Sequence, residues 1–372
     1  MDGADRRTIQ LFGALLAHGV EGCLVGRNAT LTEGRCVPHA SPSRWRENKS
    51  LAALAALATG RDYWQVKLMG PAVWNAARLA GQGHWDVIVV HFLYALPLLS
   101  AVRQTSCRLV VDTHNYDPGV FGGFRDATRN PLTKMLCNRA IETSRRELAR
   151  LPKGTAMVHV TAADADSWRR DRPDLLHAVI ENGCRVNPRQ SQPRYADPVK
   201  QLIFVGSLSA QMNKNALEHF ASTFWPQLRS VARLRVVGSN PSPDVLRLCQ
   251  DQGWELRANV SEDGLNQAYE DAHFAILPFG YGAGSKLKLF EALGRGLPLL
   301  ATPAGVGGTA TLPDCVHVSA SAADWHAELL RTTEFSEGSR QQALEFSQTY
   351  SWPTLGRRLK ELLESVPPVQ FR

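Results

Sequence analysis

The chain has 372 residues, is 44% hydrophobic and 21% charged, and carries a net charge of +7, the profile of a globular protein and not of a disordered or fibrous one. That length predicts two domains of ordinary size, each burying its own core, and no apolar run approaches the roughly eighteen residues of a membrane span. The seven cysteines are scattered without C-x-x-C spacing, so reduced thiols in a cytoplasm are expected, with no disulfide framework and no Cys/His cluster for a structural metal.

The positive charge is uneven. Of the 42 Lys and Arg and 35 Asp and Glu, residues 1–187 hold 24 and 17, which leaves 18 of each for the remainder. A basic first half could meet an anionic acceptor or the anionic inner face of a membrane as a peripheral contact. Basic residues dispersed over a solvated surface would account for the same charge. No nucleic-acid-binding motif is present, so nucleic acid is not an expected partner.

In chain order, Ile9, Leu11, Phe12, Leu15 and Leu16 recur at helical spacing, Gly19 ends that helix, and Val20 to Val25 can form a strand. No signal peptide is read at the amino terminus. Leu51 to Leu57 and Pro71 to Leu79 are predicted helices. Trp45, Trp64, Trp74 and Trp85 could line an acceptor groove but suit core or interface positions better. From Trp85 a βαβ rhythm sets in: a strand Asp86 to His91, a helix Tyr94 to Arg103, and a strand Arg108 to Asp112 that runs into Thr113, His114 and Asn115. Open α/β sheets bind ligands just past the carboxyl ends of their strands, which makes His114 a candidate site residue. An Asp112/His114 pair that only caps the loop fits the same residues.

Pro131 to Leu151 reads as a long basic amphipathic helix, able to lie on a bilayer surface or to form a solvated outer face. Met157 to Val160 is the next strand, and Thr161 is the N-cap of a helix with Asp164 in its first turn. Residues 187–200 contain three prolines and no periodicity and are read as a linker between domains 1–186 and 201–349. Leu202 to Val205 opens the second domain and leads into Gly206 and Ser207. A helix Asn215 to Phe224, a strand Leu234 to Val237, a helix from Pro243, a strand around Leu256 and a helix Asp263 to Asp271 follow. This alternation predicts a second parallel sheet.

The stretch His273 to Gly308 carries the strongest functional signal. An apolar strand Phe274 to Leu277 is followed by a loop with Gly280, Gly282 and Gly284. Next comes a helix N-capped by Ser285 with the apolar stripe Leu289, Phe290 and Leu293, and then a second apolar run, Leu297 to Ala301. Lys286 and Lys288 fall in the first turn, where the helix dipole disfavours cations by about 0.3–1 kcal/mol each. An anionic, phosphate-rich ligand would reverse that penalty. Lys288, Glu291 and Arg295 share a face, so Glu291 is placed to accept hydrogen bonds from sugar hydroxyls. A plain surface pair between Lys288 and Glu291 is the simpler alternative.

The pattern G-x-G-x-K-x-K-x-x-E-A-L-x-x-G-x-P-L-x-A-T from Gly282 to Thr302 resembles the donor-site motif of the retaining GT-B glycosyltransferases of the broad family 4 type, glycosyl transferases group 1. Glu291 matches the family's ribose-binding glutamate, and Ala283 stands where a second glutamate is common. The G-A-D-R-R run from Gly3 resembles the glycine loop after the family's first strand, a strand missing here. V-V-D-T-H-N resembles the element whose histidine, His114, approaches the donor sugar. T-A-A-D-A-D and V-I-E-N-G resemble two further family elements. In F-V-G-S-L, Ser207 replaces the arginine that many members place after Gly206 for the diphosphate.

The resemblance implies an α/β fold of two Rossmann-like domains facing each other across a cleft, with the segment 350–372 crossing back to the first. It implies transfer of a sugar from a nucleotide-diphosphate-sugar donor to an acceptor hydroxyl on a sugar, a lipid-linked or a small-molecule acceptor. The products would be polysaccharide, glycolipid or natural-product glycosides. Gly3, Gly206, Ser207, Gly282, Ala283, Gly284, Ser285 and Glu291 would line the donor site, and His114, Lys286 and Lys288 would act in catalysis, with no cofactor and no metal. Two other readings stay open. One is a nucleotide-sugar epimerase using Glu181 or Asp112 as acid and base; the other is a non-catalytic nucleotide-sugar-binding partner.

Overall fold

The structure is a computed structural model that describes residues 3–26, 29–32, 35–38, 48–281, 287–307, 309 and 311–371. The chain separates into two compact units, residues 8–180 with 356–372, and residues 1–7 with 181–355.

In the first unit, β1 (Cys23–Val25), β2 (Ala29–Thr32) and β3 (Arg35–Pro38) form a small antiparallel sheet. The expected strand over Val20 to Val25 therefore does not join the main sheet. Too few residues separate β1 from β2 for the crossover that parallel pairing needs, so the chain folds back as a hairpin. The main sheet holds β4 (Val87–His91), β5 (Ser106–Asp112), β6 (Ala156–His159) and β7 (Leu176–Val179), all parallel, while the strand Pro368–Gln370 pairs antiparallel with Ser106–Arg108. Leu109, Val110, Val111 and Met157 are fully buried, as expected of parallel strands covered on both faces. Between β4 and β5 the segment Leu93–Ala101 is a 3-10 helix with Pro97 inside it, not the expected α-helix. Proline has no N–H to donate to an α-helical ladder.

The basic helix Pro131–Ala149 buries Cys137, Ala140, Ile141 and Leu148. Part of its charge is engaged inside the unit, because Arg139 donates to the Ala56 carbonyl at 3.1 Å and Arg146 and Arg150 flank the buried Glu147. Among the described residues no helix is long and apolar enough to cross a membrane.

In the second unit β8 (Lys200–Val205), β9 (Ala232–Gly238), β10 (Glu255–Ala258), β11 (Phe274–Leu277), β12 (Leu299–Ala301) and β13 (Val316–Val318) form a parallel sheet in the order β10-β9-β8-β11-β12-β13. The strand order reverses between β8 and β11, and such a reversal opens a ligand crevice at the carboxyl ends of the two strands. The helix after β8 begins at Gln211, gives way to a π-helical turn over Phe220–Phe224 and ends as Trp225–Leu228. Pro226 lies just inside that last piece, where the missing N–H widens the ladder.

The units exchange their ends. Arg7 is fully buried and donates to the Glu181 carbonyl at 2.7 Å, which ties residues 1–7 to 181–355. Gly3, expected in a glycine loop, is instead the first residue of the helix Gly3–Ala17. At that end the N–H groups have no intrahelical partner, so glycine costs little there. Residues 187–200, expected as a linker, belong to the second unit: the buried Arg189 donates to the carbonyls of Ala272 and Gly296 at 2.6 and 3.1 Å, and the Tyr195 hydroxyl donates to His273 at 2.9 Å. The division falls inside the helix Trp352–Ser365, after Leu355. Beyond it Arg358 donates to Val179, and Lys360 to His18, both of the first unit.

At the end of β9, a Cβ on Gly238 would lie 1.8 Å from the Gly206 carbonyl oxygen. Gly238→Ala is expected to cost at least about 1–3 kcal/mol through overpacking, whereas Gly13→Ala, with no atom within 4 Å of the added carbon, is expected to be neutral or stabilising. Urea denaturation of the two variants checks the contrast.

Candidate functional site

The reversal point of the second sheet brings together Gly206 and Ser207 after β8, Phe279 after β11, and Lys288 on the helix Leu287–Leu293. The Lys288 ammonium donates to Asn213 Oδ1 at 2.6 Å and lies 4.7 and 5.1 Å from the ring centres of Phe204 and Phe279. Two aromatic faces and one amide oxygen thus hold the cation. A Cβ on Gly206 would sit 2.8 Å from Lys288 Nζ and 2.7 Å from Asn213 Nδ2. Asn213 in turn donates from Nδ2 to the Ser207 carbonyl at 2.8 Å, which links the turn after β8 to the lysine. After β12, Thr302 donates to the Phe279 carbonyl at 2.6 Å and accepts from Gly305, fixing the neighbouring loop.

Glu291 lies one turn beyond Lys288 and accepts a hydrogen bond from Arg6 Nη1. Burial, and secondarily the Glu291 charge, push the nearby Cys184 thiol up to about 12. Arg295, the third member of the expected face, stacks 4.4 Å from the Tyr269 ring centre and donates to Asn266. Lys214 is committed elsewhere, to Asp244 at 2.5 Å. Gly282, Ala283, Gly284, Ser285 and Lys286 lie outside the described residues, as do Gly308 and Ala310.

In the first unit a second polar cluster stands at the carboxyl ends of β4 and β5. His91 and Asp112 are register partners, and His114 follows two residues later. His91 Nδ1 is 3.1 Å from His114 Nε2 and 3.3 Å from Asp112 Oδ2, while His114 Nε2 is 3.6 Å from Asp112 Oδ2. His114 (φ 58°) and Phe92 (φ 69°) both occupy the left-handed region, a strain of about 1–3 kcal/mol each that concentrates at functional positions. Their rings stack with centres 4.2 Å apart.

The loop that carries His114 is braced from behind. Thr113 Oγ1 meets His159 Nδ1 at 3.1 Å, His159 Nε2 meets His177 Nδ1 at 2.9 Å, and His177 Nε2 meets the Arg172 carbonyl at 2.9 Å. A carbonyl only accepts, so His177 Nε2 carries its proton, and His159 must then donate from Nε2 and accept at Nδ1. Asp164 accepts from the Tyr116 N–H and from the Thr161 hydroxyl, so the T-A-A-D element anchors the same loop.

Four site residues that spacing did not point to are Arg6, His91, Phe204 and Asn213. His91 had a legible signal, a polar residue closing the apolar run V-I-V-V, the same signal that marked His114. The contacts of the others arise from packing between distant segments.

Residues 199–331 match the family model described as glycosyl transferases group 1. No curated protein matches the chain. Among solved structures, a trehalose-6-phosphate synthase aligns at 12% identity over 97% of both chains with a TM-score of 0.60. The sucrose-phosphate synthase of Thermosynechococcus elongatus aligns at 14% identity over 95% of this chain and 91% of its own, with a TM-score of 0.59. The fold is GT-B.

TarM, also similar at a TM-score of 0.55 and 11% identity, is a longer chain of which this one spans 58%, with 79% of this chain aligned. The family match and the shared GT-B fold support a glycosyltransferase. The matched segment of this GT-B chain contains Gly206, Ser207, Lys288 and Glu291, which all belong to one unit, whereas His114 belongs to the other.

Burial, and then the neighbouring His177, push the His159 imidazole down to about 3 from an ordinary 6.5. It is therefore neutral when folded, and its contribution to stability is complete above pH 6.5 and declines as the pH falls from 6.5 towards 3. His159→Gln is expected to lower the melting temperature most above pH 6.5, with the gap to the parent protein closing under more acid conditions. Asp117, which burial raises to about 7, titrates alike in both proteins and cancels from the difference.

Proposed function

We propose that this chain transfers a glycosyl unit, with retention, from a nucleoside-diphosphate sugar to an acceptor hydroxyl on a sugar, a lipid-linked or a small-molecule acceptor. One observation carries the reading. A lysine ammonium is held against Gly206 at the sheet's reversal point, one helical turn from a partly buried carboxylate. A diphosphate is the ligand whose charge suits Lys288, and ribose hydroxyls are the groups that suit Glu291.

In this reading Glu291 accepts hydrogen bonds from the ribose, about 1.5–3 kcal/mol for each bond to a charged group. Lys288 neutralises the nucleoside diphosphate as it gains charge on departure, which is stabilisation realised in the transition state. Asn213 and the two phenylalanine rings keep the ammonium in place before the donor arrives, so little reorganisation is needed when the bond breaks. The departing phosphate takes the acceptor proton, which suits a site without an assigned carboxylate base. Lysine side chains, not a divalent cation, meet the diphosphate charge. The diphosphate and ribose contacts fall to Lys288 and Glu291 of the second unit, and His114 of the first is the residue assigned to the donor sugar.

Thermal unfolding with a panel of nucleoside diphosphates and their sugars is expected to show a ligand-dependent rise. Lys288→Ala and Glu291→Ala are each expected to weaken donor binding or lower nucleoside-diphosphate release at least tenfold, the equivalent of about 1.4 kcal/mol. Unaltered donor affinity and turnover in both variants would overturn the assignment.

A further inference from the structure

We infer that His91, Asp112 and His114 form a binding site for a divalent transition-metal cation of the Zn2+ type, separate from the residues assigned to the diphosphate. Among the described residues these are the His and Asp side chains whose ligand atoms lie within 4.8 Å of one another. The donor set, two imidazole nitrogens and one carboxylate oxygen, is that of three-ligand metal sites that leave a further position open.

The distances lie close to those that one shared cation imposes. Donors placed tetrahedrally at about 2.0–2.2 Å from Zn2+ stand about 3.3–3.6 Å from one another. The three separations here are 3.1, 3.3 and 3.6 Å. Within the triangle itself one proton serves one pair of atoms at a time. If His91 Nδ1 carries the hydrogen, it can point between His114 Nε2 and Asp112 Oδ2, but those two then face each other as acceptors. If His114 Nε2 carries it, the lone pair of His91 Nδ1 faces the carboxylate oxygen. Protonating both rings directs two N–H bonds at one another across 3.1 Å. A single cation at the centre can take a lone pair from all three atoms at once. His91 Nδ1 also has Thr8 Oγ1 at 3.3 Å, giving one nitrogen three polar neighbours where one hydrogen bond is available to it.

The fold holds the three donors in place independently of any ion. His91 and Asp112 are locked across the β4–β5 ladder. His114 is fixed by its left-handed backbone and by the Phe92 ring beneath it, and the Thr113 to Arg172 relay braces its loop. Asp112 and His114 side chains are 4% and 5% exposed and His91 is 21% exposed, so of the three His91 is the one that solvent reaches most.

The test uses the untagged full-length chain after dialysis against a chelator, titrated with Co2+ and followed by its visible ligand-field bands, and with Zn2+ by calorimetry. One ion per chain is expected, with the intense absorption of a tetrahedral cobalt centre and displacement by Zn2+. His91→Ala and Asp112→Asn are each expected to weaken binding by at least about tenfold, the loss that even outer partners of metal sites produce. His84→Ala, on the surface, is expected to leave it unchanged. Circular dichroism of the metal-free variants confirms that they fold. Absence of stoichiometric binding in the parent, or binding that survives in the folded His91→Ala and Asp112→Asn proteins, would overturn the inference.

Discussion

The lysine at position 288 reaches the end of β8 because Gly206 has no side chain. With any larger residue there, the ammonium and the Asn213 amide would be displaced by a carbon within 2.8 Å of both. The placement assigned to the diphosphate-binding charge follows from that close approach. Phe204 precedes the glycine on the strand and Phe279 follows β11, so the two strands that flank the reversal of order supply the aromatic faces on which the cation rests. Gly238 adds a second layer of the same constraint, since its own missing side chain makes room for the Gly206 carbonyl. Two glycines on adjacent strands therefore set the position of one charge.

The first unit solves a related problem by the opposite means. Where the donor side relies on absent side chains, the end of β5 relies on strained ones: Phe92 and His114 are both held at positive φ and stacked on each other. Strain of that kind persists only when the surroundings over-determine it, and the run of hydrogen bonds from Thr113 through His159 and His177 to the Arg172 carbonyl supplies that determination. Because His159 stays uncharged at neutral pH, it can donate to His177 and accept from Thr113, which keeps the loop tied to β6 and β7.

Much of the sheet architecture was legible in the residues. Apolar runs such as Arg108 to Asp112 and Phe274 to Leu277 read as strands, the latter with the length and composition of a buried parallel one, and Thr161 announced its helix by capping chemistry. Local breaks were less legible. Pro97 converted an expected α-helix into a 3-10 segment, and Pro226 produced a π-helical turn that periodicity smooths over. The proline-rich run 187–200 looked like a linker because its anchors, Arg189 and Tyr195, bind carbonyls far away in sequence. At the candidate sites, Lys288, Glu291 and His114 carried local signals. Asn213 and Arg6 did not, because a residue acquires such a role only when a distant segment packs against it.

Neither unit is a contiguous piece of chain. The second takes its first seven residues from the opposite end of the sequence, and the strand that flanks Ser106–Arg108 in the first is made after every element of the second. During synthesis the Ser106–Arg108 edge of β5 gains its partner only when Pro368–Gln370 has emerged, after every element of the second unit. Completion of the first unit's sheet is therefore tied to the last residues of the chain to be made.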